Sequence, residues 1–280
     1  MGYVERPMHE EPLRCDGTMN ERRQANEDLE AKLAQLGRVN ADLADFTHLV
    51  SHELKEPLRG IGAYCRILME DCCEQLDEDG RRRLLTLGKM SQRLERLIDD
   101  LLNYSRMGRR SPERRHVDLT RVVADSLETL EASIHQRGAM VRVVRPLPIV
   151  AADETMLGEV FRNLISNAIK FSDAPSPQVE IGCLDGACPT LYVRDWGIGI
   201  APEHHEVVFD MFRRLHSRDR FEGSGAGLAI VRRIVEAHGG RVWIDSALGQ
   251  GTTVYFTLAS AGAVAPPHAG RTTNAATSVS

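Results

Sequence analysis

The sequence predicts an α+β protein in two parts: a helical hairpin that closes into a four-helix bundle with a second copy, followed by an α/β sandwich of helices on a sheet. Three observations predict it. Apolar residues step by three or four from Leu29 to Tyr104, the period of amphipathic helices. Beyond Arg115, helical periods alternate with short strand-like runs, as in a layered core. Finally, 280 residues, 42% of them apolar and 27% charged, suffice for two ordinary cores.

Bulk properties exclude several function classes. No apolar run approaches the roughly 18 residues that suggest a membrane span, and no basic-then-apolar leader opens the chain, so a cytoplasmic location is expected. The cysteines, Cys15, Cys65, Cys72, Cys73, Cys183 and Cys188, show neither paired C-x-x-C spacing nor a dense framework. They read as reduced thiols. A net charge of -5 gives no general attraction to nucleic acid, and the arginine cluster from Arg106 to Arg115 reads as a solvated linker.

In chain order, residues 1–20 carry Pro7, Pro12 and Gly17 without an apolar period and form a flexible arm. From Glu21, residues Leu29, Leu33, Leu36, Val39, Leu43, Phe46 and Val50 mark a coiled-coil seam, overwound at Leu33, Leu36 and Val39 but continuous. The stripe continues through Leu54, Leu58, Ile61, Cys65, Leu68 and Cys72. Asp77, Asp79 and Gly80 then supply a turn. A return helix follows with Leu84, Leu87, Met90, Leu94, Leu97, Leu101 and Tyr104. Neither helix can bury its stripe alone, so the segment 21–108 is expected to form a homodimer. Gly108 and Pro112 mark a hinge, with a linker over 109–115.

The second domain is expected over 116–260. Helical patterns cover 119–136, 153–171 and Gly227–Ala237, and strand patterns cover 140–145, 178–184, 190–195, 241–245 and 252–258. From Ala261 the chain is rich in Ala, Pro, Thr and Ser with no aromatic residue, so 261–280 is expected to be a disordered tail.

Four motifs in this domain point to nucleotide chemistry. Asp195-Trp196-Gly197-Ile198-Gly199 follows a strand; its carboxylate can accept the exocyclic amine of adenine, while Gly197 and Gly199 let the base approach. By itself the run fits a turn between strands equally well. On the helix 153–171, Glu159, Asn163, Asn167 and Lys170 share one face. Asparagine is a mediocre helix former, and its amide oxygen beside a phosphate suits hydrated magnesium, with Asn167 the nominated ligand and Lys170 neutralising phosphate. Gly223-Ser224-Gly225-Ala226-Gly227-Leu228 opens a helix and can present backbone N–H groups to phosphate, though a flexible loop has the same composition. Between Phe212 and Gly223, Arg213, Arg214, Arg218 and Arg220 read as a mobile lid offering cations to a triphosphate, or as a solvated loop.

In this order the motifs resemble the ATP-binding domain of histidine kinases, whose fold is shared with DNA gyrase, the heat-shock chaperone ATPase and mismatch-repair ATPases. The resemblance spans 116–259. It implies ATP and Mg2+ as cofactors, with Asn163 and Asn167 at the magnesium–phosphate end and Asp195 on adenine. Phe209 and Phe212 match the family's phenylalanine motif at the base of the lid. Neither a P-loop G-x-x-x-x-G-K-[ST] nor the protein-kinase motif set is present.

Upstream, Ser51-His52-Glu53-Leu54-Lys55-Glu56-Pro57-Leu58 resembles the phosphoacceptor motif of the same family. Neutral imidazole has a lone pair for attack on a γ-phosphoryl group. The resemblance gives that role to His52 and makes Glu53 the acid that orients the ring or accepts its proton. His52 lies off the seam of Val50, Leu54 and Leu58, and Pro57 should bend the helix below it. His48 makes H-x-x-x-H with His52, but no third metal ligand is near in sequence. Family members with strong phosphatase activity usually carry Thr or Asn four residues after the histidine; Glu56 stands there, which implies mainly kinase activity. The H-E-L-K-E-P-L run and the Arg213–His216 stretch look most like the phytochrome-type branch.

The implied cycle is autophosphorylation of His52 in a homodimer, then transfer to an aspartate in the receiver domain of a separate response regulator. Two rivals share these motifs: a non-catalytic dimeric scaffold, and a serine kinase of the anti-sigma type. No sensor pattern precedes the helices, so the chain is either a piece of a longer kinase or takes its signal from a separate sensor protein through the coiled coil.

Overall fold

The computed structural model describes residues 16–259 apart from 73–74, 108–110, 145, 185, 187–188, 216–220 and 222, and only some side chains of the first helix. The expected tail at 261–280 lies outside the described residues. So do Cys15, Cys73, Cys188, Arg218 and Arg220. The chain divides into two compact units, residues 1–49 and 50–280. Helix α1 (Asp16–Asp71) begins in the first and continues into the second, passing Pro57 without ending. It starts at Asp16, five residues before the expected coiled coil, which shortens the predicted arm. In the first unit Leu29, Val39 and Phe46 of the predicted seam are exposed, as seam residues are in one strand of a coiled coil; Leu49, outside that seam, is exposed too.

In the second unit α1 pairs with helix α2 (Glu78–Met107). Asp77 caps α2, its Oδ1 accepting the Gly80 N–H at 2.7 Å. Asp79 and Gly80 therefore stand in the first turn of α2 instead of forming the predicted turn, and Asp79 pairs there with Arg82 and Arg83. The helices meet through small residues. Ser91 Oγ donates to the Leu58 carbonyl at 2.5 Å, and Gly62 and Gly88 lie opposite Ser91 and Cys65. Ser51, Cys65, Ser91 and Leu102 are buried, and Lys55 pairs with Asp99 across the same face.

The predicted apolar stripe is thus divided. Cys65 points at the partner helix, whereas Leu54, Ile61, Leu68, Leu87, Met90 and Leu94 remain between 43% and 55% exposed. Apolar lines of that length are uncommon on a free surface. Tyr104 leaves the stripe altogether: with Met107 it packs against the core of the following domain, under the Arg233 guanidinium.

That domain contains β1 (Arg115–Asp118), α3 (Leu119–Thr129), α4 (Glu131–Arg137), β2 (Met140–Val144), β3 (Ile149–Ala152), α5 (Glu154–Lys170), β4 (Gln178–Leu184), β5 (Thr190–Asp195), α6 (Gly227–Ala237), β6 (Val242–Ser246) and β7 (Thr252–Thr257). The main sheet has the order β2-β4-β5-β7-β6, with only β2 and β4 parallel. Val179, Ile181, Leu191, Val193, Val254 and Phe256 project from it into a core shared with α3, α5 and α6. Phe161 of α5 meets Phe256 of β7 edge-on at 5.9 Å, joining the two layers. On its other side, away from Asn163 and Asn167, α5 carries an apolar stripe, Leu157, Val160, Phe161, Leu164, Ile165 and Ala168, that is buried throughout.

Three local expectations are corrected. The single helix predicted over 119–136 is two, because the chain leaves helical geometry at Leu130. β1 and β3 were not anticipated; they form a separate antiparallel pair, Arg115 opposite Ala152. The predicted linker consequently ends one residue earlier than expected, and Arg114 donates to the His238 carbonyl instead of lying in solvent. His238 is itself a buried tie. Its Nδ1 donates to the Ile234 carbonyl at 2.8 Å, which leaves Nε2 to accept the Asp153 N–H at 3.1 Å. Burial pushes its pKa down, keeping the ring neutral as this pattern requires. Among the described residues no helix is long and apolar enough to cross a membrane.

Candidate active site

A cavity of about 420 Å³ opens between α5, the end of β5, the glycine-rich run and the start of α6. Asp195 sits at its strand end. Oδ1 accepts the Gly197 N–H at 2.8 Å and the Thr252 N–H at 3.2 Å, which leaves Oδ2 for a ligand amine. Burial outweighs these bonds and raises its pKa to about 6. Gly197 packs against the Phe171 carbonyl, and Gly199, at φ 69°, against that of Ala247. No side chain fits at either position, so the loop can fold tightly beneath the carboxylate. Gly199 lines the cavity; Gly197 supports Asp195 from behind.

Asn163, Asn167 and Lys170 of the polar α5 face line the cavity, but Glu159 does not. Its carboxylate takes Arg162 at 2.6 Å and the Asn163 Nδ2 at 3.3 Å. Glu159 therefore positions Asn163, turning Oδ1 toward Gly227, where an added Cβ would come within 2.8 Å of it. The Lys170 ammonium lies over the Phe171 ring, 4.2 Å from its centroid, and beside Gly223. Among the described residues no group of three His, Cys, Asp or Glu could hold a metal. Neutral amide oxygens fit a cation that keeps most of its own waters, as magnesium does.

Helix α6 differs from its neighbours at the N-terminus. Asp118 and Asp153 cap α3 and α5, whereas Ala226 provides no side-chain cap for α6. Gly225, Gly227 and Leu228 line the cavity where the uncapped first turn begins. Arg213 and Arg214 also line it, but the Arg214 guanidinium is turned to its own loop, donating to the Gly223 and Phe221 carbonyls, each at 2.7 Å. A guanidinium that ties loop carbonyls holds the loop's shape at the cavity wall. Phe209 is buried and Phe212 is partly exposed at φ 60°.

Sequence reasoning missed four contributors. Phe171 and Phe221 meet edge-on at 5.3 Å beside the cavity, the backbone of Thr252 holds Asp195, and Arg96 reaches the cavity from α2. A backbone donor leaves no mark in sequence, and Arg96 resembles any solvated helix residue. His52 and Glu53 do not line the cavity. They lie on the outer face of α1, with side chains 73% and 70% exposed and Glu53 Oε1 3.8 Å from His52 Nδ1. The His48 side chain lies outside the described residues.

Two family models match. Residues 42–110 match the His Kinase A (phospho-acceptor) domain, and residues 152–262 match the histidine kinase-, DNA gyrase B- and HSP90-like ATPase. Cyanobacterial phytochrome B of Nostoc sp. is 46% identical over 227 residues, covering 80% of this chain and 30% of the relative. Phytochrome-like protein Cph1 of Synechocystis sp. is 38% identical, covering 81% and 31%. Sensor histidine kinase WalK of Bacillus subtilis is 33% identical, covering 79% and 37%. The chain thus spans about a third of the length of these relatives. The solved structure of full-length ShkA in complex with AMPPNP shares 30% identity at a TM-score of 0.58, covering 78% of this chain and 47% of that one. Phosphoacceptor and ATPase models occur in that order and together cover well over half of the sequence, so this chain belongs to the sensor histidine kinases, among which it resembles the phytochrome type.

Proposed function

We propose that the protein binds ATP with magnesium in the cavity beside Asp195, phosphorylates its own His52, and passes the phosphoryl group to an aspartate of a separate receiver domain. The observation that carries this reading is an exposed histidine paired with a carboxylate on one domain and a nucleotide-sized cavity on the next. Glu53 stands 3.8 Å from Nδ1; closing to a hydrogen bond there would hold the proton on that nitrogen and leave Nε2 its lone pair. Attack by Nε2 forms the N–P bond as the bond between the γ-phosphorus and the bridging oxygen breaks. ADP leaves, and Glu53 accepts the Nδ1 proton.

In the cavity Asp195, held by the Gly197 N–H, accepts the adenine amine, Gly199 keeps the approach open, and the first turn of α6 offers N–H groups to the phosphates. Asn163 and Asn167 would hold magnesium, which supplies charge neutralisation for the triphosphate. Lys170 and Arg213 add positive charge. We place the homodimer interface on the exposed stripe of the hairpin, and regulator docking near His52. Glu56 on the exposed face of α1 supports weak phosphatase action. ATP supply fits a cytoplasmic setting, and the exposed coiled-coil seam fits input from further chain or from a sensor protein.

Incubation with γ-labelled ATP tests the proposal. The label should be acid-labile and base-stable, as phosphohistidine is. Acid-stable label on a partner's serine would instead indicate the anti-sigma type of kinase, and no label at all a scaffold.

A further inference from the structure

Helix α2 does more than complete the hairpin. Arg96, Asp100, Tyr104 and Met107 follow one another at spacings of four, four and three, and so share one face. That face lies against the ATPase domain: Arg96 lines the cavity, while Tyr104 and Met107 pack on the core. Between them the Asp100 carboxylate accepts a hydrogen bond from the Ser224 hydroxyl. Ser224 itself lines the cavity, inside the glycine-rich run that leads to the uncapped start of α6. The helix thus already carries an anion to a segment suited to binding phosphate.

The surroundings of that anion are unfavourable. Burial raises the pKa of Asp100, the Ser224 bond partly offsets this, and Asp99 and Glu159 add repulsion that Arg96 opposes. A phosphate arriving at Ser224 would meet the Asp100 charge across the hydroxyl that both would use.

We infer that Asp100 is a built-in competitor for nucleotide phosphate: its carboxylate holds the Ser224 hydroxyl and gives it up to the triphosphate, releasing α2 from the ATPase domain. The inference rests on reading the cavity as the nucleotide site. By linkage, whatever factor docking costs in ATP affinity is the factor by which ATP loosens docking. Nucleotide occupancy would then govern when the ATPase domain is free to travel to His52.

The test is calorimetric titration of the full chain with ATP, ADP and adenosine, with magnesium present, comparing wild type with Asp100→Asn. Asparagine keeps an acceptor for Ser224 and removes only the charge. The expected result is an ATP affinity raised about fivefold or more, the lower end of typical coupling. ADP should gain less and adenosine nothing. An unchanged ATP affinity, or an equal gain for adenosine, overturns the competitor role while leaving the nucleotide site standing. Wild type that binds none of the three overturns both. Independently, spin labels on α2 and α6 should separate when ATP is added to wild type; an unchanged distance contradicts the release.

Discussion

The hairpin and the ATPase domain reach stability by opposite routes. In the domain, α5 buries its whole apolar stripe against the sheet, and Phe161, Ile165, Ile181, Leu191 and Phe256 are almost fully enclosed. In the hairpin the described side chains buried are Ser51, Cys65, Ser91 and Leu102, while Leu54, Ile61, Leu68, Leu87, Met90 and Leu94 stay exposed. Small residues let two helices approach closely but bury little area, and a fully covered leucine contributes about 1.5–3 kcal/mol. The difference teaches that the domain buries its core in one copy, whereas the hairpin leaves a stripe uncovered for the proposed second copy. Under the proposed function the hairpin would fix the dimer and present His52, while the ATPase domain would move as a body.

The contrast can be broken most severely at Leu94. Leu94→Glu places a charge in the stripe twice per bundle, and the dimer should weaken by about a hundredfold or more. Sedimentation should show monomer with ATP binding intact. Loss of nucleotide binding in parallel would mean that the two parts are not separable.

A smaller effect is expected from the opposite change. Asp195→Asn should lower ATP affinity by roughly tenfold to a hundredfold, the worth of a hydrogen bond to a charged group, and leave the dimer unchanged. Its melting temperature should not fall. Asp195 holds its proton more tightly folded, at about 6, than at its ordinary 3.8, so as an ionised group it costs stability once pH rises through that window. Wild-type ATP affinity should decline as pH is lowered through about 6, and this decline should be absent in the variant. Calorimetry across that range checks both points.

The mildest change is confined to the outer face of α1. Glu56→Thr should speed dephosphorylation of a purified phospho-regulator severalfold, on the order of 1 kcal/mol in barrier, with autophosphorylation little altered. No acceleration would remove Glu56 as the reason for a kinase-weighted output.

Legibility in the sequence follows the same division. The two stripes of α5 and the glycine-rich start of α6 could be read because each repeats a period or concentrates one residue type. β1 and β3 could not, since four-residue strands carry no full alternation. Tyr104 continues the spacing of Leu97 and Leu101, so periodicity assigns it to the bundle, yet the third dimension turns it onto the ATPase domain. Arg96 and Asp100 were hidden for the same reason: a charged residue on a helix resembles a solvated one until a second domain is placed beside it. Arg214 adds what sequence does not show: at the cavity wall its guanidinium also ties two carbonyls of its own loop.

The most direct measurement of the central claim is phosphoryl incorporation from γ-labelled ATP into wild type, His52→Gln and Asp195→Asn, with ATP binding measured on the same samples. The account predicts full base-stable label on wild type, His52→Gln binding ATP normally without label, and Asp195→Asn binding ATP more weakly with correspondingly less label. Label persisting in His52→Gln would contradict it.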